Sequence, residues 1–155
     1  MISSGGVDRT APVEGEYVLG VTHFWQGEFA AAEHHLTTAI DRFRIEDAPL
    51  HVGRYAQDPL GVCLSRLALT QLFRGRPGDA NRTMQEALRV AAELDNPMTV
   101  GYIRAFDAIL AALEPDGHNL DASVTDLVAV TLDGAPRLLI GACRRPSWLA
   151  RRSRR

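Results

Sequence analysis

Lysine is missing from this sequence: all 17 basic residues among its 155 are arginine. The absence excludes two kinds of chemistry. A phosphate-loop nucleotide hydrolase needs the lysine of its G-x-x-x-x-G-K-[ST] motif, and Schiff-base catalysis needs a lysine amine. Long apolar runs are missing as well, so the sequence predicts no membrane span.

Cysteine is scarce, with only Cys63 and Cys143. A disulfide framework is therefore not expected, and Cys63, which lies in an apolar helical stretch, is interpreted as a small buried side chain. Residues 1–13 contain glycine and serine but lack the apolar core of a secretory signal. We interpret them as a flexible N-terminus and expect a cytoplasmic protein.

Charge is unevenly distributed along the chain. Residues 1–133 carry all 19 acidic residues and a net charge of −9, whereas residues 134–155 carry +7. An arginine-rich end of this kind could bind nucleic acid or an anionic membrane. Because Trp148 is the one aromatic residue among these arginines, we interpret the segment as a charged, disordered terminus and expect neither partner.

The middle of the chain, residues 14–115, predicts an all-α domain. Turn and cap residues divide it: Gln26-Gly27 is a turn, Asp58-Pro59 is an N-cap followed by proline at the first helical position, and Asn96-Pro97 separates the last two helices. The five predicted helices span residues 14–25, 28–43, 59–74, 79–94 and 97–113, and residues 44–58 are a longer connection.

Apolar residues cover more than one side of the third predicted helix. Leu60, Leu64 and Leu67 recur at helical spacing, while Leu69 and Phe73 lie outside that stripe. A helix exposed to solvent on two sides would not show this pattern, so we expect the third helix to pack between neighbouring helices.

Residues 116–155 predict an irregular tail. Asp133-Gly134 between two apolar runs could form a hairpin turn, although Pro136 weakens the second strand. A changed reading frame is the other interpretation, because composition and charge shift together here.

An internal match appears at a spacing of 48 residues. Gly27 aligns with Gly75, Ala32 with Ala80, and Ala39 with Ala87. Glycine permits a sharp turn between paired helices, and alanine permits two helices to approach closely. The match predicts two similar helical hairpins.

These residues resemble the tetratricopeptide repeat (TPR) family, whose 34-residue unit pairs two helices. The Leu-Gly and alanine positions of that unit are occupied in both segments, although His23 and Gln71 stand where an aromatic residue is usual. About 14 additional residues map to the loop 44–57. The residues that match the repeat-packing positions are Leu19, Gly20, Gly27, Ala32, Ala39, Leu67, Gly75, Ala80 and Ala87. The resemblance implies a short solenoid of helical hairpins.

More narrowly, residues 17–113 are similar to the TPR-like regions of bacterial ATPase regulators and class III adenylate cyclase-type signalling proteins. The resemblance implies an interaction module in a bacterial signalling or transcription-regulatory system, with a protein or peptide as partner. The alternative is a truncated, non-catalytic fragment of such a multidomain regulator, with no independent activity. In either case an exposed apolar end face could lead to self-association.

In TPR arrays the first helix of each hairpin lines the concave surface that holds a partner. The candidate partner-binding residues on this surface are Tyr17, Val21, Phe24, Ser65, Arg66 and Leu69.

No catalytic, metal-binding or cofactor-binding residue is predicted. His34-His35 lacks the spacing of metal ligands, Glu28 and Glu33 are interpreted as parts of a solvated face, and no G-x-S-x-G motif surrounds Ser65. An enzyme would instead require an apolar pocket in which histidine and carboxylate groups converge.

Overall fold

The computed structural model describes residues 8–94, 96–114 and 120–130. All regular structure in these ranges is helical, which confirms the predicted all-α class. Residues 120–130 are helical, and a 3₁₀ turn at Ile45–Asp47 precedes the third α-helix. The other helices are α1 (Ala11–Trp25), α2 (Phe29–Arg42), α3 (Ala48–Tyr55), α4 (Pro59–Phe73), α5 (Pro77–Glu93) and α6 (Pro97–Leu113). The prediction of about five helices was therefore too low.

Side-chain caps open two of the long helices, and the cap at Asp58 was predicted. The Asp58 carboxylate accepts a hydrogen bond from the Gly61 backbone N–H at 3.1 Å, with Pro59 following at the start of α4. The Asn96 side chain accepts from the backbone N–H groups of Met98 and Thr99 at the start of α6. Both side chains satisfy donors that the first helical turn leaves free.

The two glycine turns are the same structure 48 residues apart. Gly27 and Gly75 adopt left-handed φ angles of 78° and 75°, which favour glycine. The N–H of the residue after each glycine bonds back across the turn, from Glu28 to the His23 carbonyl at 2.9 Å and from Arg76 to the Gln71 carbonyl at 3.0 Å. This is the Schellman closure of a helix, so α1–α2 and α4–α5 are equivalent hairpins at their turns.

Small residues lie where these hairpins close. Ala32, Ala39, Ala80 and Ala87 are fully buried, as the alignment predicts. A Cβ at Gly20 would lie 2.7 Å from Leu36 Cγ, so the absence of a side chain at Gly20 allows α1 and α2 to pack closely at this point. Leu19 was also predicted to pack, but its side chain is exposed. Gly27 and Gly75 are exposed in the turns.

Helix α4 lies at the centre of the fold. It packs against α1, α2, α5 and α6, and every residue from 61 to 70 is buried. Helix α2 lies between α1 and α4, and α5 contacts both α4 and α6. The main apolar cluster surrounds α4, and a smaller one, with Leu36 and Cys63, lies between α1, α2 and α4.

The structure differs from three expectations about connecting segments in the residues that it describes. The loop 44–58 contains α3, which buries only His51 and therefore lacks an apolar stripe visible in the sequence. Residues 8–13, expected in a flexible N-terminus, are described, and the Asp8 carboxylate accepts hydrogen bonds from Thr10 and Arg54. Residues 120–130, expected in an irregular tail, are helical. The predicted hairpin turn, Cys143 and the arginine-rich end lie outside the described residues.

Candidate functional site around Arg66

Helices α1, α4 and α6 together form a cluster of aromatic rings around one arginine. Arg66 projects from the middle of α4. Phe24 and Trp25 reach it from the C-terminal end of α1, and Tyr102 and Phe106 reach it from α6. Because α4 lies between α1 and α6, a side chain of α4 can contact both aromatic groups at once.

The guanidinium of Arg66 is in contact with three aromatic rings. Its central carbon lies 4.5 Å from the ring centroid of Phe106, 5.2 Å from that of Phe24 and 5.6 Å from that of Trp25. These distances are within the range of cation–π attraction. One amino group, Nη2, also donates a hydrogen bond to the Tyr102 hydroxyl at 2.9 Å.

Arg66 is a buried cation that lacks a carboxylate partner within the part of the chain that the structure describes. Its exposed fraction is 8%, and its Nε has no hydrogen-bond partner there. The other buried charged groups have polar partners: Glu14 lies against His51, Asp47 against Arg9, and Asp58 accepts a hydrogen bond from the Gly61 backbone N–H. A guanidinium stays charged at any physiological pH, and burying it unpaired is costly. The site therefore has unused capacity for an anion.

Two tyrosine hydroxyls extend the polar part of this cluster. Burial, followed by the proximity of Tyr102, raises the pKa of Tyr17, so its phenol remains protonated. The Tyr17 side chain lies near Tyr102, whose hydroxyl accepts a hydrogen bond from Arg66. Two hydroxyls beside a planar cation are suited to hold a carboxylate, since the cation supplies charge and the hydroxyls supply O–H donors.

The structure divides the predicted partner-binding residues into two groups. Tyr17 and Val21 are half-buried on α1, and Phe24 and Arg66 belong to the cluster described above. Ser65 and Leu69, also predicted for this surface, are core residues. The Ser65 hydroxyl donates to the Gly61 carbonyl of its own helix at 2.8 Å. Both were misplaced because neighbouring helices surround α4 more completely than its apolar stripe indicates.

Three residues of the cluster were not predicted. Trp25 ends the first predicted helix, and Tyr102 and Phe106 lie on the fifth, outside the two aligned hairpins that supplied the predicted surface. A signal was present in α6, where Tyr102 and Phe106 are four residues apart and therefore share one face of the helix. Their rings stack with centroids 4.5 Å apart.

A second buried polar cluster joins α1 to α3. His51 is 0% exposed, its Nδ1 lies 2.7 Å from Glu14 Oε1, and its Nε2 has no hydrogen-bond partner among the described residues. Cys63 lies nearby, and burial, followed by the Glu14 charge, raises the pKa of its thiol. Because cysteine nucleophiles need a lowered pKa, we interpret this histidine–carboxylate pair as a link between two helices.

The remaining histidines of α1 and α2 form surface contacts. The rings of His23 and His35 stack with centroids 5.2 Å apart, and the His35 ring nitrogen lies 2.8 Å from Glu16. Within residues 8–94, 96–114 and 120–130, no three histidine, cysteine or acidic side chains are grouped as metal ligands would be. None of the helices in these ranges is both long and apolar enough to cross a bilayer.

Comparisons with known proteins found no match, so the interpretation of the site depends on its geometry. No protein-family model matches the chain, and no curated protein or solved structure is significantly similar to it.

Proposed function

We propose that this chain is a protein-interaction module that binds an acidic segment of a partner protein at the cluster around Arg66. The observation that carries the proposal is the buried guanidinium without a carboxylate partner among the described residues. A partner's aspartate, glutamate or C-terminal carboxylate would supply the missing charge, and the aromatic rings would contact its apolar neighbours. Hot spots of protein interfaces commonly combine arginine with aromatic side chains in this way.

The order of helix packing also supports an interaction module. Two hairpins with equivalent turns, α1–α2 and α4–α5, are followed by α6 against both α4 and α5. Stacked hairpins of the TPR type have this order, and they bind partners on the surface lined by the first helix of each hairpin. In the proposed arrangement those helices are α1, α4 and α6, the three that contribute to the cluster. The role in a bacterial regulatory system rests on the sequence resemblance.

A peptide selection tests the proposal. A random library of displayed heptapeptides is selected against the wild-type protein, and the recovered peptides are then measured by fluorescence polarisation. We expect them to contain aspartate or glutamate, and we expect Arg66→Gln to weaken their binding by about tenfold to a hundredfold, because the charge-assisted bond is lost. Replacing the acidic residue of the peptide by its amide should weaken wild-type binding similarly.

Two variants separate binding from folding. Arg89→Gln removes an exposed arginine of α5 that pairs with Glu86 and Glu93, and it should leave peptide binding unchanged. Arg66→Lys retains the charge but not the planar fork, so it should give intermediate affinity. Circular dichroism confirms that each variant is folded. Peptides that bind Arg66→Gln as well as wild type, or a selection that recovers none, would overturn the proposal.

A further inference from the structure

The outward side of α1 is an uncharged strip on the surface of the molecule. Its eight residues all lie within an arc of about 140° on a helical wheel of 3.6 residues per turn. All eight are exposed, and none is acidic or basic. They are Ala11, Pro12, Gly15, Val18, Leu19, Thr22, Trp25 and Gln26. We refer to them as the α1 strip.

The α1 strip is more apolar than its composition alone suggests. Trp25, Val18 and Leu19 have exposed fractions of 72%, 58% and 46%. The Thr22 hydroxyl donates to the Val18 carbonyl of the same helix at 2.8 Å, so its methyl group is left for contact. Surface helices normally carry charged residues on their outer side, and contiguous apolar patches on a surface indicate an interaction site.

We infer that the α1 strip binds the α1 strip of a second copy of this chain, with the two helices antiparallel. Small residues at one end of the strip match large residues at the other end, so two copies fit together when one is rotated by a half-turn about a point between Val18 and Leu19. Its N-terminal half is small, and a Cβ at Gly15 would meet no atom within 4 Å. Its C-terminal half carries Trp25. An antiparallel pair therefore places the large indole of each copy over Ala11, Pro12 and Gly15 of the other.

Charge at the two ends of the strip fits the same arrangement. Arg9 precedes α1 and lies 2.9 Å from Asp47, and Glu28 follows α1 and lies 2.5 Å from His23, but the Arg9 and Glu28 side chains remain 63% and 58% exposed. Antiparallel packing brings Arg9 of each copy towards Glu28 of the other, and it sets the positive end of one helix dipole against the negative end of the other. Parallel packing would instead bring like charges together at both ends.

The contact is limited to one helix face about 22 Å long. Stable complexes bury about 800 Å² on each partner, and we expect the contact of a single helix face to bury less than that area. We therefore expect a weak dimer, which forms as the chain becomes concentrated. Trp25 belongs both to the α1 strip and to the cluster around Arg66. Val18 and Gly15 lie outside the cluster, so substitutions at these two positions test the dimer separately from the peptide site.

Sedimentation equilibrium of the full chain over a range of concentrations tests the inference. The expected result is a mass that rises from one chain towards two. Val18→Glu should raise the dissociation constant at least tenfold, because it places a charge in the centre of the strip. Val124→Glu, the same change at an exposed valine of the 120–130 helix, should have no effect. Circular dichroism shows whether both variants retain the helical content.

Crosslinking tests the antiparallel register. In a Cys143→Ser background, Gly15→Cys and Thr22→Cys chains are treated with a short bismaleimide, separately and as a mixture. Crosslinked dimers should form mainly in the mixture, because residue 15 of one copy faces residue 22 of the other. A full chain that stays monomeric at all concentrations overturns the inference, even if a variant that lacks residues 1–7 forms a dimer. A dimer equally sensitive to both glutamate variants, or insensitive to Val18→Glu, also overturns it.

Discussion

Gly15 and Gly20 are both glycines of α1, and their surroundings give them opposite roles. Gly20 faces α2, where a Cβ would lie 2.7 Å from Leu36 Cγ and 2.9 Å from its Cδ2. Gly15 faces outward, with no atom within 4 Å of the same position. At the scale of one residue, the absence of a side chain permits helix contact at Gly20 and leaves space at Gly15.

Alanine substitutions at these two positions should therefore change stability in opposite directions. Gly20→Ala should lower the free energy of unfolding by about 1–3 kcal/mol, because Leu36 is buried and must shift. Gly15→Ala should raise it by about 0.5–1 kcal/mol, because alanine is the better helix former. Urea denaturation at low protein concentration, where self-association is absent, measures both. An equal loss at the two positions would contradict this account of the α1–α2 contact.

Between elements, one carboxylate joins the first hairpin to the turn of the second. Glu33 lies on α2 and accepts hydrogen bonds from Arg74 and Arg76, which lie between α4 and α5. Burial alone would raise the pKa of Glu33, but the two arginines outweigh it and lower the pKa. The ionised form is thus favoured by folding, and it stabilises the contact between the hairpins.

The stability that Glu33 provides should depend on pH. Its folded pKa lies below the unfolded value of about 4.3, so the contribution is present above that value and is lost as pH falls through the folded pKa. Glu33→Gln should cost about 0.5–1.5 kcal/mol at pH 7, and the difference from wild type should shrink below about pH 5. Denaturation curves at several pH values measure this.

The control for Glu33 is Glu93→Gln. Glu93 pairs with Arg89 within α5 and is more exposed, so its loss should cost only a few tenths of a kcal/mol at any pH. If the cost of Glu33→Gln stayed constant from pH 7 to pH 4, the ionised contact between hairpins would not be its cause.

Across the whole molecule, burial is concentrated on α4. Four helices surround it, whereas α3 buries only His51 and the 120–130 helix buries only Ser123 among its described residues. A helix that can open only when its neighbours separate is protected by the global free energy of unfolding, and a peripheral helix opens at lower cost.

Hydrogen exchange should reproduce this gradient. We expect the amides of α4 to exchange most slowly, and those of α3 and of residues 120–130 to exchange faster by at least a hundredfold, because their opening requires little loss of apolar contact. Mass spectrometry of peptides from each helix measures the rates. Exchange in α3 as slow as in α4 would show that the fold opens as a single unit.

The sequence alone determined the features that depend on near neighbours in the chain. Asp58, Pro59 and Asn96 set helix starts, and the two glycines set turns with left-handed φ angles, because these effects act over a few residues. The fully buried alanines were also predicted, because the 48-residue match aligns both hairpins. Helix α3 was missed, since a short helix that buries a single histidine has no apolar period.

Only the tertiary structure decided which side chains meet across the fold. Tyr102 lies 36 residues from Arg66 in sequence, and His51 lies 37 residues from Glu14. The enclosure of Ser65 and Leu69, the exposure of Leu19, and the unpaired guanidinium all depend on which faces of three or more helices come together. No local pattern contains that information, because burial is determined by the neighbours a helix acquires and not only by its own sequence.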